Sequence, residues 1–218
     1  MSWTKQRALG RIREVGLVPI VRTPSPEDAF LAAEAILSGG IGIAEITMTV
    51  PDALHVLERV AKEFGDQVLL GAGTILDTQS CEAAIAAGAE FIVTPSLQLD
   101  VIEIAKRLGK ICFPGALTPT EVLAAWRAGA DMVKIFPCGP VGGPSYIKAL
   151  RGPFPNIEYL PTGGVTLEAT PGYMRAGAAA VAVGGELVDL KALQAGNLEW
   201  IVATARKFID AVKAGRAK

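Results

Sequence analysis

Short runs of β-branched and apolar residues alternate with alanine-rich amphipathic segments along the whole chain, and this restricts the fold more than any other feature. The candidate strands are LVPIVR (17–22), GIAEIT (42–47), VLLGAGT (68–74), EFIVTP (90–95), KICFPG (110–115), MVKIFP (132–137), EYLPTGG (158–164) and AVAVGG (180–185). Between them lie segments with apolar spacing of three and four, such as PEDAFLAAEAILSGG, PDALHVLERVAKEF, TQSCEAAIAAG and TPTEVLAAWRAG. Several open on a cap followed by an acid and stop at glycine. This is a series of βα units. It can close into a (β/α)8 barrel or stay open as a doubly wound sheet. The barrel is favoured because every strand ends in polar or glycine-proline chemistry (VR, ITMT, GAGT, VTPS, FPGA, IFPC, PTGG, VGG). An open sheet concentrates such groups near one switch point. The expectation is therefore an α/β fold, a (β/α)8 TIM barrel forming a single domain over residues 1–218. MSWTKQRALGRIREVG forms an N-terminal helix, and NLEWIVATARKFIDAVKAG closes the chain as another.

Composition narrows the partners. The chain has 218 residues, 50% hydrophobic and 20% charged, with 21 basic against 22 acidic side chains. Its lysines and arginines are interleaved with acids, so no stripe tracks a phosphodiester backbone and no nucleic-acid partner is expected. Charges run through the N-terminal segment, and nothing reads as a signal peptide or a membrane span. Cys81, Cys112 and Cys138 are odd in number and never paired as CxxC, which suits packing in a reducing cytoplasm better than a disulfide framework or a zinc site. The single histidine, His55, sits in a helical pattern as a surface or boundary residue, which leaves no histidine cluster for a metal.

Chemistry is signalled by DMVKIFP (131–137). Strand alternation sends Met132, Lys134 and Phe136 one way and Val133 and Ile135 the other, and in GIAEITMT it groups Ile43, Glu45 and Thr47. Val133 and Ile135 suit the helix-covered face, so Lys134 points inward near the end of its strand, and Glu45 does the same on the second. Both strands are even-numbered, which places the pair in one interior layer, facing each other across the mouth through water. A desolvated lysine gives up its proton more readily, and a neutral amine attacks carbonyls. The bland alternative is an interior ion pair, a weak source of stability. Residues at strand ends with perturbed ionisation favour function, here a Schiff-base enzyme acting on a carbonyl compound with Glu45 moving protons.

The stretches EITMTVPDA, GAGTI, VTPS, PGALTPTE, VKIFP and LPTGGV, in this order from about residue 15 to beyond 190, resemble the family of 2-keto-3-deoxy-6-phosphogluconate (KDPG) and 4-hydroxy-2-oxoglutarate (KHG) aldolases. The resemblance implies a class I lyase that splits the sugar-acid phosphate into pyruvate and glyceraldehyde 3-phosphate, with no metal or other cofactor, commonly as a homotrimer. It implies that Lys134 is the Schiff-base residue and Glu45 the general acid/base. Thr74 matches a pyruvate-binding threonine, Pro95 and Phe136 match pocket walls, and Thr162 a position tied to substrate preference. Gly163, Gly164, Gly184 and Gly185 match the phosphate end, the second pair opening ELVDL, read as a short helix whose N-terminus faces an anion.

Two positions depart from that pattern. Thr49, two residues beyond Thr47, stands where many members place an arginine against the pyruvate carboxylate. A hydroxyl cannot replace a bidentate guanidinium, so Arg22 becomes a candidate for part of that load, an exposed salt bridge being its other reading. Glu186 stands where some relatives carry a serine that helps hold phosphate, and a carboxylate aimed at a dianion repels it. That keeps KHG and the galactonate epimer of KDPG open as substrates. Outside aldol chemistry, a phosphate-binding barrel isomerase or epimerase and a non-catalytic sugar-phosphate sensor would share the glycine turns, but neither needs an imine lysine.

Overall fold

A computed structural model describes residues 3–217. The chain opens with α1 (Lys5–Val15), β1 (Leu17–Val21), α2 (Pro26–Ser38), β2 (Ile43–Thr47), α3 (Ala53–Phe64) and β3 (Leu69–Gly73). It continues with α4 (Thr78–Ala86), β4 (Phe91–Val93), α5 (Leu99–Arg107), β5 (Ile111–Phe113), β6 (Gly115–Ala116) and α6 (Pro119–Ala128). Last come β7 (Val133–Ile135), α7 (Pro144–Arg151), β8 (Tyr159–Pro161), α8 (Thr170–Arg175), β9 (Val181–Val183), α9 (Leu190–Gln194) and α10 (Leu198–Arg216). Local chemistry explains the boundaries. Helix α1 stops at Gly16, which takes the left-handed conformation with φ 69°. Helix α6 starts in the capping box read from TPTE: Glu121 N donates to Thr118 Oγ1 at 3.3 Å while Thr118 N donates to Glu121 Oε2 at 2.7 Å.

All strand pairs are parallel. Six strands run in the order β5-β4-β3-β2-β1-β9 and three in the order β6-β7-β8. Pro114 separates β5 from β6, because a proline has no N–H to give to the ladder. A single parallel bridge, Thr162 to Ala182, links the end of β8 to β9. The result is an α/β fold with a curled parallel sheet, helices packed against it, and one contiguous cluster of buried apolar side chains. The uninterrupted eight-stranded ring expected from the sequence is thus seen as two sheets, with KICFPG split in two.

Strands also stop earlier than their apolar runs suggest. EYLPTGG leaves the sheet after Pro161, since Gly163 and Gly164 take φ 80° and 74°. ELVDL, expected as a short helix, is a turn in which Leu187 N and Val188 N both donate to Gly184 O at 2.9 Å. Asp189 is occupied as the cap of the following helix, accepting from Ala192 N at 2.7 Å, so helical structure restarts only at Leu190. Among the described residues no helix is long and apolar enough to cross a membrane.

Candidate active site

The C-terminal ends of the strands enclose a cavity of about 700 Å³. Its lining brings together Arg22 after β1, Glu45 from β2, Thr74 after β3, Pro95 after β4, Lys134 and Phe136 from β7 and its end, and Thr162 after β8. Gly163, Gly164, Gly184 and Gly185 form one side of the same cavity. Thr47 and Thr49 are outside the lining. Thr47 is fully buried, its Oγ1 donating to Val21 O at 3.1 Å and lying 2.9 Å from Thr49 Oγ1, so these hydroxyls are engaged in holding the end of β2 beside β1.

Among the described lysines, arginines, aspartates and glutamates, Lys134 and Glu45 are the two that are buried, at 6% and 1% exposure. Neither makes an ion pair among the described residues, and Glu45 Oε2 is enclosed without a hydrogen-bond partner. Desolvation dominates both. It pushes the Glu45 carboxyl above its ordinary range against the opposing pull of the Lys134 and Arg22 charges. It pulls the Lys134 ammonium down, with Glu45 opposing and the like charge of Arg22 assisting. The cavity thereby favours a neutral amine and a protonatable carboxyl, which a bare ion pair would not. The Phe136 ring lies 5.2 Å from Lys134 Nζ.

Thr74 departs from ordinary backbone geometry, with φ 60° at a β-branched residue. Such strain is uncommon and concentrates at functional sites. At the glycine side, the amides of Gly163, Gly164, Gly184 and Gly185 donate to no group among the described residues. Exposed Glu186 also lines this side. Sequence reasoning missed Ile20, Val165, Thr166, Ala182, Val188 and Leu190 in the lining. Alternation from Arg22 would have found Ile20 and alternation from Gly184 would have found Ala182, whereas Thr166 and Val188 lie in loops and Leu190 at the start of α9, where strand phase carries no signal. His55 is exposed on α3, and Cys81, Cys112 and Cys138 are free and buried away from the lining.

A family model described as aldolase, KDPG and KHG aldolase, matches residues 9–204. The chain is 31% identical over 216 residues to the 2-dehydro-3-deoxy-phosphogluconate aldolase of Haemophilus influenzae, covering 98% of this chain and 100% of the relative. It is 35% identical over 172 residues to the 2-dehydro-3-deoxy-6-phosphogalactonate aldolase of Escherichia coli, covering 78% and 83%. A solved KDPG aldolase from Legionella pneumophila, with pyruvate captured at low pH as a covalent carbinolamine intermediate, superposes with a TM-score of 0.82 at 27% identity, over 91% of this chain and 96% of that one.

Proposed function

The chain belongs to the KDPG and KHG aldolase family, and on that premise we propose that it is a class I aldolase cleaving 2-keto-3-deoxy-6-phosphogluconate into pyruvate and glyceraldehyde 3-phosphate. The observation that carries this reading is a desolvated lysine sharing a cavity with a desolvated carboxyl, the two not spent on an ion pair. Lys134 Nζ attacks the C2 ketone, and loss of water leaves a protonated imine. Glu45 takes the C4 hydroxyl proton as the C3–C4 bond breaks, and the bonding electrons pass into the imine to give an enamine and the aldehyde. Glu45 then returns its proton to C3, and water hydrolyses the imine to release pyruvate and restore the amine.

Arg22 meets the substrate carboxylate, a role suited to a cavity-lining guanidinium with no salt bridge among the described residues. Thr74 contacts the pyruvate half, Pro95 and Phe136 wall it, and Thr162 faces the sugar carbons. Thr47 and Thr49 act indirectly, by fixing the strand ends beside Arg22. The bare amides of Gly163, Gly164, Gly184 and Gly185 suit the phosphate. Glu186 on the same side favours a second reading, in which 4-hydroxy-2-oxoglutarate or the galactonate epimer is the better substrate. Steady-state rates on the three, measured side by side, rank them.

The same proposal takes the two sheets as one closed (β/α)8 barrel forming a single domain, supported by the Thr162 to Ala182 bridge and by β5 and β6 being consecutive pieces of one run. It takes the protein as a cytoplasmic homotrimer, a reading supported by three unpaired cysteines and by Leu76 and Leu99, each 56% exposed; sedimentation equilibrium tests the trimer. Borohydride reduction with pyruvate should add a stable adduct to the peptide containing Lys134, and Lys134→Arg should lower cleavage by on the order of 10³-fold or more with the fold intact. Absence of an adduct at any lysine, or a Lys134→Arg variant that still cleaves, sinks the mechanism.

A further inference from the structure

The two glycines of β3 fall on the face of the sheet that carries Glu45, since Glu45 pairs with Gly71 and Thr47 with Gly73 in register. Each bare Cα is filled by a neighbouring side chain. A methyl group on Gly71 would stand 2.1 Å from the Phe91 ring, and one on Gly73 would stand 1.7 Å from Glu45 Oε1 and 2.5 Å from its carboxyl carbon. Gly73 is not among the residues with positive φ, so its backbone is open to any residue and only the space over it demands glycine. Among the described residues no hydrogen bond holds the Glu45 carboxyl, and its Oε2 is enclosed and unpartnered. A flexible side chain without a polar anchor is positioned by shape alone.

We propose that Gly73 is a positioning residue for Glu45: its missing side chain forms the notch that seats Oε1 and so fixes where in the cavity the carboxyl stands relative to Lys134. The inference rests on the reading of Glu45 as the acid/base of an imine-forming enzyme. It adds a residue that never touches substrate. The charged groups acting on the seated carboxyl are Lys134 on β7 and Arg22 at the end of β1. A carboxyl pushed out of the notch meets both at altered distances and gains water, so its titration moves as well as its reach.

The test separates imine formation from proton transfer. In the wild type, pyruvate should be trapped on Lys134 by borohydride, and the methyl protons of pyruvate should exchange with heavy water, a reaction that needs the imine and the carboxyl but no aldehyde. In Gly73→Ala, trapping should persist while exchange and kcat for cleavage fall about 10²-fold, the cost of displacing a reacting group by about 1 Å, with KM little changed. The acid limb of the pH–rate profile should move with them. In Gly73→Ala/Glu45→Asp the carboxyl carbon falls near the place of the Glu45 Cγ, 2.9 Å from the new methyl against 1.7 Å for Oε1 of the glutamate, so the overlap is reduced and exchange should be faster than in Gly73→Ala alone. A wild type that neither traps nor exchanges overturns the underlying aldolase reading. A wild type that does both overturns the positioning role alone if Gly73→Ala exchanges at the wild-type rate, if it loses trapping together with exchange, or if the shorter acid brings no recovery.

Discussion

Glu45 and Lys134 have each lost their water without gaining an ion pair, and that choice has a stability signature. The folded-state pKa of Glu45 lies above the ordinary carboxylate value of 4.5, so the folded protein binds this proton more tightly than the unfolded chain. As pH rises from about 4.5 through the raised folded value, stability is lost. Lys134 runs the other way: its pKa lies below 10.5, so stability is gained as pH rises from the lowered folded value towards 10.5. Glu45→Gln removes the first contribution and deepens the second, because the Glu45 charge opposes the fall of Lys134. Urea denaturation at pH 4 and pH 8 should show the variant gaining on the wild type at the higher pH. An equal difference at both pH values would mean that the carboxyl is not desolvated. The strained φ of Thr74 belongs to the same pattern, in which local stability is given up at the cavity wall.

Secondary-structure elements place these side chains, and a break in the sheet lies beside them. Where Pro114 interrupts the ladder, Thr94 fills the gap: its Oγ1 accepts from Gly115 N at 3.2 Å and donates to Ser96 O at 2.6 Å. Gly115 is itself pressed against the chain, with a methyl group there landing 2.3 Å from Pro95 C. Strand β6 pairs Gly115 with Lys134, so this one hydroxyl steadies the neighbour of the reactive strand and the wall residue Pro95 together. Thr94→Val keeps the shape and strands the Gly115 N–H, which should cost about 1–3 kcal/mol in urea denaturation. A neutral result would mean that the Gly115 amide finds another acceptor.

At the scale of the molecule, the two ends of the chain are tied together away from the cavity. Arg216, at the end of α10, donates to Glu14 O at 2.6 Å, Arg13 O at 2.5 Å and Ala179 O at 3.2 Å. The first two carbonyls belong to the last turn of α1 and the third precedes β9, so one guanidinium closes the seam between the first and last elements. Arg216→Ala should cost roughly 2 kcal/mol, a fall of about 4–8 °C in Tm for a chain of this size. The kcat should be unchanged, because no cavity-lining residue is touched. A thermal scan paired with an activity assay below the transition checks both halves.

Much was legible before any coordinates, and for a local reason. Period-two and period-3.6 patterns are written in neighbouring residues, so the strands, the capping box at Thr118 and Glu121 and the inward direction of Glu45 and Lys134 follow from short windows of sequence. The family follows from the order of six such windows. Windows say nothing of distances between them. Whether Thr47 meets a substrate or Val21 O, whether ELVDL winds or turns, how Pro114 divides one apolar run, and that a glycine on β3 exists to house a carboxylate from β2 were decided only when remote segments came into contact. The sequence by itself determined which side chains face inward at the strand ends, because side-chain type and strand phase are properties of the chain. The tertiary structure alone decided which of them share one desolvated space, because desolvation and packing are properties of the assembled walls.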